Sequence, residues 1–441
     1  MAYVPNTEKQ ASAMLESIGK KSIEDLFVGI PESVRLKKPL NIEAGKSEFE
    51  VLEKLESLAE KNKIYKSCFL GAGAYKHYIP AVVRHLTGRS EFVTAYTPYQ
   101  AELSQGILKA IFEYQTTICE LTGMDVSNAG VYDGAHAAAE ATIMFRERKR
   151  QKTLISAAAK PMVIETIETY CKTAGQPFVL IPTKDGKTDL QALAAELDDT
   201  VASVYVEYPN FYGLIEDVKA AGDLAHEAGA KLIVGSYPIA LGLLKTPAEL
   251  GADAAVGEAQ PLGLPLSYGG PYLGYMAVPQ AHMRKLPGRI AGKTADSQGR
   301  DAYVLTLQAR EQHIRREKAS SSICTNTALC ALTATIYCAA MGKQGLQEVA
   351  EQCYSKAHYA AQEISAVKGY TLTYKGEFFN EFLTACPENP EELMERLGQN
   401  DILGGLPLEI DGQNHMLWCV TEVNTKQEID TLVELLKEGV K

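Results

Sequence analysis

The sequence VASVYVEYPNFYGLIEDVKAAGDLAHEAGAKLIVGSYPIALGLLKTPAELGADAAVGEAQP (residues 201–261) contains three short apolar runs rich in small and β-branched residues. These runs lie near 202–207, 231–235 and 253–256, and a helical pattern fills 216–229. Short apolar runs of this kind are typical of buried strands. Strands that alternate with helices favour a mostly parallel sheet with helices on both faces. The stretch therefore predicts an α/β fold.

The same alternation extends over residues 127–280 as a whole. We expect the further strands near 153–157, 177–182 and 273–278, and the further helices near 134–150, 160–174 and 188–197. An amphipathic helix at 100–122 precedes this region, and a buried helix near 324–341 follows it. The last part of the chain combines helices at 345–367 and 425–438 with short strands around 370–374, 380–385 and 416–421.

The N-terminal part has the pattern of amphipathic helices. Thr7 with Gln10, and Ser47 with Glu50, have the spacing of capping boxes. The predicted organisation is a helical arm at 1–65, a large α/β domain at 66–325 and a small C-terminal α+β domain at 326–441.

Composition and charge exclude several classes of function. Of the 441 residues, 46% are hydrophobic and 22% are charged, which is typical of a globular protein. The 55 acidic residues outnumber the 44 basic ones, so we expect neither nucleic-acid binding nor docking on an anionic membrane. Neither a signal-peptide pattern nor a membrane-spanning run of about 18 apolar residues occurs. Nine scattered cysteines without a CxxC pair favour reduced thiols, no metal site and a cytoplasmic protein.

Three motifs are candidates for a ligand site. FLGAGAYKHYIP (69–80) contains a glycine pair that would let a backbone approach a ligand, although a tight turn explains it equally well. TAYTPYQAELSQG (94–106) places polar side chains at a helix N-terminus, where they bind an anion or simply cap the helix. YDGAHAAAEA (132–141) has small residues at a helix N-terminus, as in the phosphate sites of doubly wound folds, but this signal alone is weak.

A basic run and the absence of three known catalytic motifs restrict the reactions that the chain could catalyse. REQHIRREK (310–318) indicates either a solvated helix face or a surface for an acidic partner or a carboxylate. The sequence contains no GxSxG, HExxH or GxxxxGK[ST], so hydrolase, metalloprotease and P-loop readings have no support.

Together these motifs resemble the glycine cleavage system P protein, the pyridoxal-phosphate-dependent glycine dehydrogenase (decarboxylating). The resemblance is carried by YVPNT (3–7), MLESIG (14–19), LGAGAYKHYIP (70–80), YTPYQAELSQG (96–106), YDGAHAAAEA (132–141), YPNFYG (208–213), GGPYLGY (269–275) and REQHIRREKASSSICTN (310–326). The chain is similar to the N-terminal half of that enzyme, made separately as an alpha subunit, or subunit 1. The resemblance implies a fold-type-I, aminotransferase-like architecture, in agreement with the α/β pattern.

In that fold, the resemblance implies a lysine that forms a Schiff base with the cofactor and an aspartate that pairs with the pyridine nitrogen. This sequence has Pro261 at the lysine position and Gly235 at the aspartate position. No lysine occurs between Lys245 and Lys285, and His136 stands where related sequences carry a small hydroxyl residue. We therefore expect a vestigial cofactor site, with no catalytic or cofactor-binding residue in this chain.

The resemblance also implies the reaction and the partners. Glycine would be decarboxylated, and its aminomethyl group would pass to the lipoyl arm of the H protein. Pyridoxal phosphate would be carried by a lysine-bearing beta subunit in a heterotetramer, while this chain completes the active site and the assembly. The side chains that we expect near the substrate channel or the partner are Tyr96, Tyr99, Gln100, Arg310 and His313.

Two alternatives stay open at this point. The chain could be a regulatory or scaffolding protein derived from the fold, which co-purification with a lysine-bearing homologue would decide. It could also be a self-sufficient pyridoxal-phosphate enzyme that uses another lysine, such as Lys293 or Lys318. A visible absorption band after addition of the cofactor would favour that reading.

Overall fold

The computed structural model describes residues 6–38, 40–93, 96–308, 311–319, 321–324 and 327–440. The chain divides into two compact units, Met1–Ile64 and Tyr65–Lys441. The predicted boundary between residues 325 and 326, inside the second unit, stays a prediction.

Helices and strands alternate through the middle of the chain. The helices are α1 (Glu8–Ser17), α2 (Glu48–Ala59), α3 (Ala81–Thr87), α4 (Gln105–Thr122), α5 (Gly134–Met144), α6 (Pro161–Thr173), α7 (Leu190–Glu196), α8 (Val218–Glu227), α9 (Gln312–Arg315), α10 (Ala328–Ser365), α11 (Pro390–Gln399) and α12 (Lys426–Gly439). The strands are β1 (Ser67–Cys68), β2 (Val126–Ser127), β3 (Lys152–Ser156), β4 (Phe178–Ile181), β5 (Thr183–Lys184), β6 (Lys187–Thr188), β7 (Val201–Tyr208), β8 (Lys231–Ser236), β9 (Ala254–Glu258), β10 (Gly274–Val278), β11 (Ile290–Ala295), β12 (Asp301–Thr306), β13 (Glu381–Ala385), β14 (Ile402–Leu403), β15 (Leu406–Ile410) and β16 (Gln413–Cys419).

A seven-stranded sheet in the order β2–β10–β9–β8–β7–β3–β4 forms the centre of the second unit. The strands from β9 to β4 are parallel, and β10 runs antiparallel to its neighbours β9 and β2. Successive side chains of a strand point to opposite faces. Val204 and Val206 accordingly join one apolar core, while Tyr205 between them joins the other. The mostly parallel α/β sheet predicted from the sequence is confirmed.

A third apolar cluster lies among the C-terminal elements. The antiparallel sheet β13–β16–β15 contributes Phe382 and Trp418, and the helices α10 and α12 contribute Ile364 and Leu432. This arrangement brings β13, with Glu381 at its start, against the loop that follows β1.

Several predicted boundaries are wrong. The helix predicted at 134–150 ends at Met144, and the helix predicted from residue 100 begins at Gln105. The strand predicted near 370–374 is a single bridge between Leu372 and Thr384. By contrast, the break predicted between the helices at 324–341 and 345–367 is confirmed, because Gly342, with φ 63°, interrupts α10. The prediction did not include the hairpin β11–β12 or the helix α11, although α11 has an Asn389 cap and a proline at its start.

The N-terminal unit consists of helices whose predicted caps are present. Thr7 accepts a hydrogen bond from the Gln10 N–H, and Ser47 accepts one from the Glu50 N–H, both at 3.3 Å. Neither α1 nor α2 contains a buried residue, and Phe49 is 67% exposed. The arm therefore presents apolar side chains on its surface. Within the described residues, no helix is both long and apolar enough to span a bilayer.

Candidate functional site

A cavity of about 700 Å³ lies where the parallel strands end. Its lining includes Glu207 near the end of β7, Ser236 at the end of β8 and Glu258 at the end of β9. The first turn of α5 and the loop Gly71–Tyr75 complete much of the wall. The carboxyl ends of parallel strands are the usual ligand-binding edge of open α/β sheets. The cavity is therefore in the position of the cofactor site that the fold predicts.

The first turn of α5 donates its backbone N–H groups to side chains of the same chain. Asp133 caps the helix, because its Oδ1 accepts a hydrogen bond from the His136 N–H at 2.8 Å. Glu258 Oε2 accepts a hydrogen bond from the Gly134 N–H at 3.0 Å. We call these four residues, Asp133, Gly134, His136 and Glu258, the cradle. Free N–H groups at a helix N-terminus bind anions, but here two carboxylates already accept hydrogen bonds from the N–H groups of Gly134 and His136.

The carboxylate of Glu258 is held from its other side as well. Its Oε1 accepts hydrogen bonds from the N–H groups of Gln260 at 2.9 Å and Leu273 at 3.0 Å. Burial raises the pKa of Glu258 to about 7, although the three backbone donors act in the opposite direction. Above that pH the group is an anion fixed at the start of α5.

Gly235, at the predicted aspartate position, lies in the middle of the sheet with no room for a side chain. A Cβ atom on Gly235 would overlap the hydroxyl of Tyr205 on the neighbouring strand β7 and would approach Glu207 Cγ to 3.1 Å. Tyr205 is 1% exposed and lines the cavity, so a side chain at position 235 would have to displace this ring. The space that an aspartate would need is filled by a tyrosine ring.

Pro261, at the predicted lysine position, lies in a buried turn after β9 and is not among the residues that line the cavity. The preceding residue fixes this turn. The Gln260 side chain accepts a hydrogen bond from the Tyr75 N–H at 2.9 Å and donates to the carbonyl oxygens of Tyr75 at 3.0 Å and Leu264 at 2.7 Å. The turn is therefore tied to the loop after β1 instead of presenting a side chain to the cavity.

Among the described residues that line the cavity, one is a lysine, Lys160. Its Nζ lies 2.9 Å from Glu207 Oε1, and its backbone N–H donates to Glu207 Oε2 at 2.6 Å. Glu207 is 6% exposed, so this is a largely buried ion pair. Neither Lys160 nor Glu207 was among the site residues predicted from the sequence. Glu207 near the end of β7 and Glu258 at the end of β9 could have been noticed, because the ends of parallel strands converge on one edge.

These observations test whether pyridoxal phosphate, which the fold implies, fits this cavity. A side chain at the aspartate position would have to displace Tyr205, the lysine position is not part of the lining, and the amine of Lys160 is paired with Glu207. The helix N-terminus that would hold a phosphate is occupied by Asp133 and Glu258. The residues present do not fit the cofactor.

The glycine pair of the 69–80 motif serves packing within the chain. A Cβ atom on Gly71 would collide with the side chains of Glu381 and Cys419. Glu381 Oε1 accepts a hydrogen bond from the Ala72 N–H at 2.6 Å, and Tyr75 donates its hydroxyl to Glu381 Oε2 at 2.7 Å. Burial raises the pKa of this Glu381 carboxyl. The close approach that glycine permits is made to the chain itself.

His77, Cys353 and Glu422 have the residue types of a metal site, and their ligand atoms lie within 4.8 Å of one another. His77 Nδ1 lies 2.6 Å from Glu422 Oε2, and His77 Nε2 bonds the Tyr237 hydroxyl. Two ligands around one zinc ion, with bonds of about 2.1 Å, are separated by about 3.4 Å. The contact at 2.6 Å is therefore a hydrogen bond in a buried network, and it accounts for the cluster without a metal.

A second group of polar residues, which we call the outer cluster, surrounds Arg289. This guanidinium is 5% exposed and donates to the Tyr99 hydroxyl at 2.8 Å, with its Cζ 5.0 Å from the Tyr99 ring centroid. Arg289 Nε lies 3.5 Å from Glu311 Oε2, and a terminal nitrogen lies 3.9 Å from Cys324 Sγ. The ring of His313 packs edge-on against Tyr99, with the centroids 6.0 Å apart.

The structure brings together some of the site residues predicted from the sequence. Tyr99 and His313 meet in the outer cluster, and Gln100 follows Tyr99 at the surface. Tyr96 is 81% exposed, and Arg310 lies outside the described residues. None of the described candidates lines the cavity. Arg289, which organises the cluster, carried no signal in the sequence, because it is separated from both motifs that it joins.

The basic run 310–318 is less helical than predicted. Its described part contains the single turn α9 and a 3₁₀ turn, Arg316–Lys318. Lys318 lies on this exposed turn, and Lys293 on β11 pairs with Asp301 at 2.8 Å. Neither lysine lines the cavity, so the structure places both candidates for an alternative Schiff base away from it.

The fold is that of the fold-type-I pyridoxal-phosphate class. The chain superimposes on sphingosine-1-phosphate lyase from Burkholderia pseudomallei with a TM-score of 0.67 and 16% identity, covering 92% of this chain and 93% of that one. It superimposes on glutamate decarboxylase from Lactobacillus brevis with a TM-score of 0.69 and 13% identity, covering 94% and 97%. At such identities the likeness shows the fold alone.

Sequence comparison identifies the family. The profile of the glycine cleavage system P-protein matches residues 1–436. The chain is 50% identical to the probable glycine dehydrogenase (decarboxylating) subunit 1 of Bacillus mycoides and of Bacillus cereus, over 98% of each chain. It also superimposes on a solved glycine decarboxylase (P-protein) of the glycine cleavage system with a TM-score of 0.93 and 41% identity, over 99% of this chain and 100% of that one. The chain belongs to the glycine cleavage system P-protein family, as the resemblance predicted.

Proposed function

We propose that this chain is the alpha subunit, or subunit 1, of glycine dehydrogenase (decarboxylating). The observation that carries the proposal is 50% identity, over 98% of both chains, to relatives named as that subunit. Glycine would lose carbon dioxide, and its aminomethyl group would pass to the lipoyl arm of the H protein. A second, lysine-bearing subunit would carry the pyridoxal phosphate, which supplies the electron-withdrawing group for decarboxylation.

The misfit between the cavity and the cofactor supports a division of labour between the two subunits. Lys160 is ion-paired, Gly235 has no space for a carboxylate, and Pro261 has no amine. This chain alone would be inactive, and its contribution would be to complete the active site and the assembly.

The outer cluster is our candidate for the part of this chain that faces the partner's active site. Tyr99 is held by the buried Arg289, and His313 contacts the Tyr99 ring and Glu311, while about half of each side chain stays exposed. Tyr96, Gln100 and Arg310 belong to the same two motifs. An exposed aromatic surface that a buried guanidinium holds in place suits a channel for glycine and the lipoyl arm.

The experiment that tests the function is a reconstitution. This chain, a lysine-bearing homologue and the lipoylated H protein are combined with carboxyl-labelled glycine, and the release of labelled carbon dioxide is measured. We expect release from the pair of subunits and none from this chain alone. Failure of the pair to co-purify would favour the regulatory or scaffolding alternative.

The self-sufficient alternative is tested by reduction with borohydride. The isolated chain is mixed with pyridoxal phosphate, reduced and mapped by peptide analysis. We expect only scattered labelling of surface lysines, since the Lys160 amine is held by Glu207. A single lysine labelled stoichiometrically would contradict the proposal, and the Lys160→Arg variant serves as the control for labelling inside the cavity.

The arm is our candidate for a contact with the second subunit. Its helices expose Met14, Ile18, Phe49, Leu52 and Leu55 on their surfaces. Removal of residues 1–64 is expected to abolish co-purification, whereas a chain with Glu16→Gln and Glu53→Gln on the same helices should still form the complex. Intact assembly of the truncated chain would restrict the arm to a local role.

A further inference from the structure

We propose that the carboxylates of Asp133 and Glu258 stand in the place of a ligand phosphate, so that this chain excludes phosphate-bearing cofactors from its own cavity. The inference rests on the proposed function, in which the second subunit holds the cofactor. It adds a physical reason why the cofactor would bind to the second subunit and not to the cavity of this chain.

In the cradle, carboxylates accept the hydrogen bonds that a phosphate would receive. A phosphate at a helix N-terminus is bound by the backbone N–H groups of the first turn. In α5 the Gly134 N–H donates to Glu258 at 3.0 Å, and the His136 N–H donates to Asp133 at 2.8 Å. The two carboxylates come from different elements, the residue before α5 and the end of β9, and they converge on one turn.

The side chain of Glu258 is fixed in this position. It accepts hydrogen bonds from three backbone N–H groups, those of Gly134, Gln260 and Leu273. A carboxylate with three charge-assisted bonds to rigid backbone does not swing away to admit a ligand without losing all three. The side chain therefore belongs to the wall of the cavity and does not act as a mobile gate.

The charges that line the cavity also disfavour a phosphate. Asp133, Glu207 and Glu258 all line it, and the described lining residues with a basic side chain are Lys160 and His136. Lys160 is paired with Glu207 at 2.9 Å, and His136 Nδ1 lies 2.8 Å from Asp133 Oδ2. A phosphate dianion would meet like charges, and the Lys160 ammonium is already paired with Glu207.

The test is a binding titration of the full-length isolated chain at pH 8, where Glu258 is mostly ionised. The probes are inorganic phosphate and pyridoxamine 5′-phosphate, which has no aldehyde and cannot label surface lysines. The variant Asp133→Ser/Glu258→Gln keeps a helix-capping side chain and removes both charges. We expect it to bind pyridoxamine 5′-phosphate at least about tenfold more tightly than the wild type in calorimetry. Pyridoxamine without phosphate should show no such gain.

The matched control is Asp223→Ser/Glu434→Gln, which removes the same two charges from exposed positions on α8 and α12. It should bind like the wild type. Equal affinity of the wild type and the cradle variant would overturn the proposal, as would saturable binding of phosphate by the wild type. If the double variant fails to fold by circular dichroism, Asp133→Ser alone must show a smaller gain in the same direction, and no gain overturns the proposal.

These outcomes are separate from those of the proposed function. Non-covalent binding of pyridoxamine 5′-phosphate by the wild type would sink the exclusion but leave a role as alpha subunit intact. Decarboxylation of glycine by this chain alone would sink the proposed function, whatever the cradle binds.

Discussion

The cavity and the outer cluster use the same kinds of side chain in opposite ways. In the cavity, the ion pair of Lys160 with Glu207 and the bonds of Glu258 to backbone N–H groups are all made within the chain. In the outer cluster, Arg289 is buried, but Tyr99, which it holds, is 54% exposed. Polar groups whose partners are all internal stabilise the fold. A polar side chain that is fixed by a buried partner and exposed to solvent on its other side is available to another molecule.

The largest effect should come from forcing the cavity to accept the missing cofactor groups. We expect Pro261→Lys with Gly235→Asp to lower the free energy of unfolding by about 4 kcal/mol, because the new side chain at 235 overlaps Tyr205 and buries a charge. Urea denaturation measures this loss. We also expect no release of carbon dioxide from labelled glycine by the isolated variant.

The control for this double change is Gly106→Ala in α4, where a Cβ atom has open space. It should not destabilise the chain, since alanine favours a helix over glycine. A double variant that is as stable as the wild type and turns over glycine would show that only two side chains separate this cavity from a working one.

The next largest effect tests how much the buried ion pair of Lys160 with Glu207 contributes to stability. Lys160→Met leaves the buried Glu207 without its cation and should cost about 3 kcal/mol of unfolding free energy. Lys172→Met in α6, the helix that follows Lys160, breaks only an exposed pair with Glu168 and should cost less than about 0.5 kcal/mol. Urea denaturation of both variants makes the comparison.

The double variant Lys160→Met/Glu207→Gln should recover most of the stability lost with Lys160→Met. Equal losses for Lys160→Met and Lys172→Met would mean that the buried pair contributes nothing special, and the contrast with the outer cluster would disappear.

A smaller effect concerns the pH dependence of stability. The pKa of Glu258 is raised from 4.5 to about 7 in the folded chain, so the folded state holds its proton more tightly than the unfolded state. This group therefore lowers stability as the pH rises from about 4.5 through 7. Between pH 5 and pH 8, the wild type should lose about 2 kcal/mol more than Glu258→Gln does. Parallel pH profiles of the two proteins in urea denaturation would contradict the assignment.

The smallest effect is expected at the outer cluster and in activity alone. Tyr99→Ala should lower the turnover of the reconstituted complex by about tenfold, equivalent to about 1.4 kcal/mol, without dissociating the subunits. The stability of the chain should change by less than about 1 kcal/mol, because Tyr99 is half exposed.

Tyr78→Ala, another exposed tyrosine outside the cluster, is the control and should leave turnover unchanged. His313→Ala should behave like Tyr99→Ala, since the two rings pack together. Unchanged turnover in Tyr96, Tyr99, Gln100, Arg310 and His313 variants would reduce both motifs to structural ones.

The sequence by itself determined the α/β class, the main strands and the family. Strands such as β7, β8 and β9 are short apolar runs, and such patterns can be recognised within the segment itself. The capping boxes at Thr7 and Ser47 were equally readable, because they depend on residues three positions apart. The lack of lysine between Lys245 and Lys285 also required no structure.

Only the tertiary structure decided what fills the vestigial cavity and what organises the surface. Glu258 reaches Gly134, and Arg289 reaches Tyr99, across 124 and 190 positions of sequence. Tyr205 blocks Gly235 because β7 and β8 are neighbours in the sheet, which neither segment encodes alone. Local patterns fix which residues form strands and helices. Which side chains then meet depends on how those elements pack, and that packing gathers contacts from the whole chain.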